Sequence, residues 1–260
     1  MDKIKIIYSE QPVLDNPVLI EGLPGVGNVG KLAAEHLLDQ IEAVKFADIY
    51  SVHFPPQVVL DDEGVAKLVN NELYYSKSDG SHPDLILIVG DYQGLTPEGQ
   101  YDISDAILGI ARQFNVSLIF TLGGYGIGKM VEVPRVLGAA TSKELVEEMK
   151  EKGVIFSKGE PGSGIVGASG LLLGLGKISG QRAVCLMGET SGYFVDPKGA
   201  ESVLRVLANI LNVQIDFSDL ESKAEQIDLI TSKLKEAESP AEPRREAWAT
   251  SDDHKLLTAL

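Results

Sequence analysis

The chain is poor in the residues that carry most covalent and metal chemistry. It has one cysteine and four histidines in 260 residues. A lone cysteine, Cys185, cannot close an internal disulfide, so no oxidising compartment is required. No spacing of His, Cys and acidic residues matches a metal site, and none is expected. Basic residues are scarce as well: 23 Lys and Arg stand against 38 Asp and Glu, a formal net charge of −15. A surface of that sign repels phosphate backbones, which excludes general nucleic-acid binding and favours basic partner surfaces. No apolar run reaches the ~20 residues that span a bilayer. The apolar stretch 164–176 is too short and too rich in glycine for that. The first residues enter strand-like sequence with no basic, apolar and cleavage regions in series, so no signal peptide is expected and the predicted setting is cytoplasmic. Neither a cofactor nor a membrane partner is expected.

With 44% hydrophobic and 23% charged residues, there is ample material for one large core. Residues 85–89, 117–122 and 183–187 are continuous apolar runs, each closed by a glycine-rich loop. Runs without alternation suit central parallel strands covered on both faces. Between them lie helical spacings. Residues 26–40 place Val29, Leu32, Ala33, His36 and Leu37 on one face. A helix over 97–114 has Thr96 as N-cap and Pro97 at its first position, one over 142–152 is capped by Ser142, and one over 197–211 is capped by Asp196. Residues 57–60 and 65–75 are rich in Val, Leu and Tyr, and Asn70-Asn71 reads as a tight turn between two strands, giving a hairpin. The pattern predicts a three-layer α/β fold with a mostly parallel central sheet, over a core domain of residues 1–213.

Residues 214–238 differ. From 217 to 238, Leu220, Ala224, Ile227, Thr231 and Leu234 follow steps of four and three on an otherwise polar helix, the narrow stripe of a coiled coil. This predicts an extended helix outside the compact core, with the stripe as a self-association or partner seam. Residues 239–260 read as a flexible tail. Within it, 254–260 is either a short docking segment or foreign to the native chain.

The most specific segment is Gly22-Leu23-Pro24-Gly25-Val26-Gly27-Asn28-Val29-Gly30-Lys31, between a predicted strand and a predicted helix. Gly25, Gly27 and Gly30 have dinucleotide-binding spacing, and Asp48 stands near the place of a ribose-binding acid. The same glycines also serve a tight strand-to-helix turn. Gly25 to Lys31 meets most of a phosphate-loop pattern too, but Leu32 replaces the hydroxyl that would hold magnesium. Gly25, Gly27, Asn28, Gly30 and Lys31 therefore form a candidate anion loop, for a nucleotide or another phosphorylated small molecule.

Other chemistry is thin. His36 reads as a packed histidine, and His53, next to Pro55-Pro56, as an acid–base group or a turn stabiliser. Cys185 reads as an inert packing thiol. Ser163 and Ser169 lack the nucleophile-elbow spacing. Glu132 and Arg135 are a solvated loop charge pair, an ion pair across a subunit boundary or an anion contact. Residues 159–170 are an anion nest or a close-packed helix start. No complete catalytic constellation emerges, so no catalytic residue is assigned.

The run from Leu19 to Gly30, together with Gly90-Asp91-Tyr92-Gln93, Thr121-Leu122-Gly123-Gly124-Tyr125 and Gly188-Glu189-Thr190-Ser191-Gly192-Tyr193, resembles the archaeal branch of the proteasome assembly chaperone family. The resemblance spans residues 3–234. It implies a phosphorylase-like α/β fold without enzymatic activity. It also implies a homo-oligomer, with a pentameric ring as one possibility, that handles proteasome subunits or a sister chaperone. Some such chaperones dock through a C-terminal hydrophobic–tyrosine–any-residue signature. The sequence ends Thr258-Ala259-Leu260, so that mode of docking is not expected here.

Overall fold

A sheet whose middle strands are apolar on both faces must be covered twice, and this chain supplies helices to both sides. The computed structural model describes residues 2–159 and 164–238, with side chains as far as residue 232. Strands β1 (Ile4–Tyr8), β2 (Val18–Gly22) and β3 (Val44–Ser51) enclose helix α1 (Val29–Gln40) in sequence. After them come β4 (Val58–Leu60), β5 (Ala66–Leu68), β6 (Asn71–Ser76), β7 (Leu85–Gly90) and α2 (Pro97–Gln113). The remainder is β8 (Leu118–Gly126), β9 (Val136–Ala140), α3 (Lys143–Glu151), α4 (Ala168–Ile178), β10 (Ala183–Thr190), α5 (Pro197–Leu211) and α6 (Ser218–Glu238).

Eight strands form one sheet in the order β1-β3-β6-β7-β2-β8-β10-β9. The four in the middle, β7, β2, β8 and β10, are mutually parallel, and the flanking strands pair antiparallel. Alternation along β2 sends Val18 and Ile20 to one face and Leu19 to the other. The first face packs under α1 and α5 through Val29, Leu37, Val203 and Leu207. The second packs under α2 and α4 through Ile103, Ile107, Ala168 and Leu172. This is the three-layer α/β architecture that the apolar runs predict. The caps also form as predicted. Thr96 Oγ1 accepts from Gly99 N at 3.1 Å, Ser142 Oγ from Leu145 N at 3.3 Å and Asp196 Oδ1 from Gly199 N at 2.9 Å.

One local expectation fails, and one strand was not expected. The hairpin turns at 61–64, where Asp61 Oδ1 accepts from Glu63 N at 3.0 Å and Val65 N at 2.8 Å. An aspartate that bonds its own downstream backbone makes a turn that the Asn70-Asn71 pair does not need to make. Asn71 instead opens β6, buried between Ile49 of β3 and Gly90 of β7. The short strand β9, with its small residues Gly138, Ala139 and Ala140, escaped prediction because its identity rests on antiparallel pairing with β10.

The terminal helix is also placed differently. Leu220 is 1% exposed and Ala224 is buried, and α6 folds back along α5. Arg205 of α5 stacks 4.0 Å over the Phe217 ring and pairs with Glu221, and Lys198 pairs with Asp228 at 2.8 Å. The first turns of α6 therefore complete the α1/α5 face of the core instead of standing apart from it. A stripe this narrow meets its need for cover within one chain. The expectations for the Leu234 side chain and for the tail 239–260 lie outside the described residues.

Helix α1 lies so close to the sheet that a Cβ on Gly30 would overlap the Leu122 carbonyl oxygen of β8. Gly30→Ala is expected to cost about 2–3 kcal/mol or more, because the clash is with backbone and cannot relax cheaply. Gly109→Ala, mid-helix in α2, where an added Cβ meets only the Arg112 guanidinium at an ordinary 3.8 Å, should instead gain about 0.5–1 kcal/mol. Urea denaturation of the two variants checks both signs.

Candidate functional site

The four motif segments that run through the sequence meet at one place, the carboxyl ends of the parallel strands. In open α/β sheets this is where ligand clefts form. The loop after β2 carries Leu23 to Val26, the loop after β7 carries Gln93, and β8 ends in Gly123 to Gly126. With the start of α4 they enclose a cleft of about 590 Å³, floored by Cys185 and Met187 of β10.

One side chain ties its walls together. Gln93 Nε2 donates to the Pro24 carbonyl at 2.6 Å, and its Oε1 accepts from Ala168 N at 2.9 Å, at the first turn of α4. Behind the wall is a buried carboxyl. Glu21, 0% exposed, accepts from Leu23 N at 3.1 Å and from Ser169 Oγ at 3.0 Å. Ser169 lines the cleft, and its carbonyl accepts from Thr121 Oγ1 at 3.3 Å. Burial raises the Glu21 carboxyl from about 4.5 to about 7, and the Ser169 and Leu23 bonds offset only part of that. Burial likewise pushes the Cys185 thiol up to about 12, beyond useful thiolate chemistry at neutral pH.

The candidate anion loop behaves otherwise than its spacing suggests. Gly25 lines the cleft, but Gly27, at φ +62°, abuts Thr190 and Asp196, and Gly30 abuts β8. Asn28 also takes a left-handed φ of 50° without capping the helix through its side chain. Lys31 turns to carboxylates: its Nζ is 2.6 Å from Asp91 and 3.4 Å from Glu35. Asp48 sits in β3, which β6 and β7 separate from β2, so it cannot face a ribose held at the β2 loop. It pairs with Lys45 at 2.7 Å and accepts from Asn70. These glycines serve a tight, closely packed strand-to-helix turn.

The remaining candidates resolve into structural contacts. His36 Nε2 donates to the Asp216 carbonyl at 2.7 Å, tying α1 to the segment before α6. His53 Nε2 lies 3.0 Å from Asp102 Oδ2, and its backbone N–H donates to Ser51 Oγ, which anchors the turn after β3. Arg135 Nε donates to buried Glu189 at 2.8 Å, and Glu132 meets Lys198 at 3.2 Å. The Arg135 guanidinium holds the Glu189 carboxyl below its usual range. Ser163 lies outside the described residues. Among the described residues no cluster of three metal-ligating side chains exists, and no helix is long and apolar enough to cross a membrane. Sequence reasoning missed Glu21 as a site residue, although a carboxylate inside the apolar run Val18-Leu19-Ile20-Glu21 was the available signal.

Residues 19–235 match the PAC2 family. The structure superimposes on Pyrococcus furiosus PbaB, described as an archaeal proteasome activator, with a TM-score of 0.86 and 41% identity over 90% of this chain and 100% of that one. Pyrococcus furiosus PbaA, an archaeal homolog of proteasome-assembly chaperone, gives a TM-score of 0.76 at 27% identity, covering 91% and 93% of the two chains. The Methanocaldococcus jannaschii protein MJ1210 is 40% identical over 225 residues, 86% of this chain and 85% of its own length.

The buried carboxyl makes a pH prediction. Between pH 4.5 and 7 the unfolded chain releases the Glu21 proton while the folded chain keeps it, so stability falls as pH rises through this window. Glu21→Gln removes that loss. The variant should match the wild type near pH 4.5 and exceed it by up to about 3 kcal/mol at pH 8. Urea titrations at the two pH values read this difference, and an equal difference at both would refute it.

Proposed function

Because the chain belongs to the PAC2 family, we propose that it works by binding proteins, in proteasome assembly or activation, and not as an enzyme. The similarity to PbaB over the whole of that chain carries the reading. Its site supports it: the thiol is inert, Glu21 has no cationic or metal partner among the described residues, and Lys31 is committed to Asp91 and Glu35. The proposed setting is the cytoplasm, and the proposed partners are proteasome subunits or a sister chaperone.

Self-association belongs to the same reading. Leu220 and Ala224 are taken up by the core, Ile227 and Thr231 are half-buried, and Leu229 and Ile230 are 56% and 55% exposed on the outer side of α6. The contact between copies is therefore proposed to use the outer face, where burying the exposed half of two large aliphatic side chains contributes roughly 1.5–3 kcal/mol per helix. A pentameric ring is one arrangement that would cover it, since closed rings satisfy head-to-tail contacts.

Mixed with an archaeal 20S core particle, the full chain is expected to co-elute with it and to change its hydrolysis of a fluorogenic peptide. Absence of co-elution at micromolar concentrations overturns the proteasome reading. Light scattering of the free protein should give a mass above that of one chain, and Leu229→Asp with Ile230→Asp should lower it. A monomeric wild type would refute self-association.

A further inference from the structure

Most glycines around the strand ends have a reason inside the chain. A Cβ on Gly22, Gly30 or Gly124 would overlap its neighbours, and Gly27, Gly164 and Gly167 have left-handed φ values. Gly25, Gly123 and Gly126 have neither reason. None has a left-handed φ, and the nearest atom to an added Cβ is 3.9 Å away at Gly123, 3.5 Å at Gly126 and beyond 4 Å at Gly25. All three line the cleft. Fold contacts leave room for a side chain at each of the three, and each lines the cleft. The cleft is kept open at three separate points of the sequence.

Its chemistry is selective. In a chain of net charge −15, no charged side chain lines this cleft among the described residues. Leu23, Ile165 and Met187 supply apolar wall, and Gln100, Tyr125 and Ser169 supply polar atoms. Val166 of the lining and the segment after Gly192, which abuts the lining residue Val26, are apolar and exposed. Val166 is 92% exposed and Tyr193 76%, with Phe194 and Val195 beside it. Tyr193 to Val195 form a short arch tied at both ends to the glycine loop: Asp196 N donates to Gly27 O at 2.9 Å, and Gly192 abuts Val26. A small ligand would need the cleft alone. An open apolar pocket within a wider apolar rim is the form of an interface in which one anchor residue is swallowed and its neighbours seal the edge. The surrounding negative field favours basic residues beside that anchor.

We propose that this cleft is a docking pocket for one or two large apolar side chains carried on an uncharged or basic segment of a partner protein. The proposal rests on the protein-binding function above and gives that function its site. Among the described residues no cation lines the cleft for a phosphorylated ligand, and Lys31 of the glycine loop is held by two carboxylates.

Methionine methyl groups offer a direct readout. Of the four methionines, Met187 floors the cleft and Met149 is a buried residue of α3, away from it. The full chain, labelled with ¹³C-methyl methionine, is titrated with capped Gly-Lys-X-Lys-Gly peptides in which X is Leu, Phe or Trp. Controls are X as Ala, flanking Glu in place of Lys, inorganic phosphate and AMP. The apolar peptides should shift the Met187 signal saturably and leave Met149 in place. The Ala and Glu peptides should bind at least about tenfold more weakly. Gly123→Leu, which has room for its Cβ, should abolish the shift while keeping the thermal transition. Val166→Asp, on a fully solvated rim position, should weaken it without touching the fold. A silent Met187, a shift caused by phosphate or AMP instead, or a shift that survives both substitutions overturns the pocket. If wild type and both variants co-elute equally with the 20S core while the peptides stay silent, the pocket is wrong and the proteasome reading stands. If the peptides bind and the 20S core does not, the pocket stands and its partner is another protein.

Discussion

The fold is organised by how closely α1 approaches β8. Gly30 faces the Leu122 carbonyl, Gly124 faces the Val26 carbonyl, and Gly22 faces Ala34, each at a separation that admits no Cβ. Backbone packs on backbone there, so the helix start is fixed with little freedom to slide. That contact sets where the β2 loop can lie. Lys31 is carried toward Asp91 of the β7 loop, and Gly27 toward Thr190 and Asp196 at the end of β10. The loops that build the cleft are therefore positioned by one helix–sheet contact. Motif segments far apart in sequence converge because they all meet that helix.

The same geometry explains why a carboxyl is tolerated in the middle of the sheet. Alternation along β2 turns Glu21 away from α1 and toward α4, where the Ser169 hydroxyl and the Leu23 N–H meet it. A neutral, hydrogen-bonded carboxyl costs far less there than an ionised one. With Thr121 and Cys185 in neighbouring strands at the same level, it makes a polar row under the cleft. A group of this kind, with a pKa near neutrality, often signals catalysis. Here its only partners among the described residues are a serine and a backbone amide, and Cys185 is protonated. The row fits support of the cleft wall better than bond making.

Much of this was legible in the sequence, for reasons that differ by element. The parallel strands announced themselves because burial on both faces forces unbroken apolar runs such as Leu85 to Val89. The caps at Thr96, Ser142 and Asp196 were legible because a side-chain oxygen at that position answers a local need. Elements defined by distant partners were not. β9 exists through its pairing with β10, and Asn71 belongs to a strand because Ile49 and Gly90 flank it. The stripe on α6 has the period of a coiled coil whether its partner is another helix or α5 of the same chain. The glycine loop was equally ambiguous, because dinucleotide binding and close helix packing ask for the same residue at the same spacing. Only the sheet order, which puts two strands between β3 and β2, separates them.

That ambiguity carries a further lesson about glycine. A glycine can be required by its φ, by a neighbour or by empty space, and sequence shows all three alike. In this protein Gly27 illustrates the first, Gly30 the second, and Gly25 and Gly123 the third. The third kind is the informative one for function, since folding alone would accept alanine or more at such a position and gain chain rigidity from it. A chain rich in carboxylates, interrupted by a hollow with no charged lining among the described residues, offers partners two separate terms. The long-range field draws in basic surfaces, and the hollow selects among them by the size of what they insert. Attraction without selection would bind any cationic protein. A hollow without the field would meet its partner slowly. The combination suits a protein whose work is to hold one other protein among many.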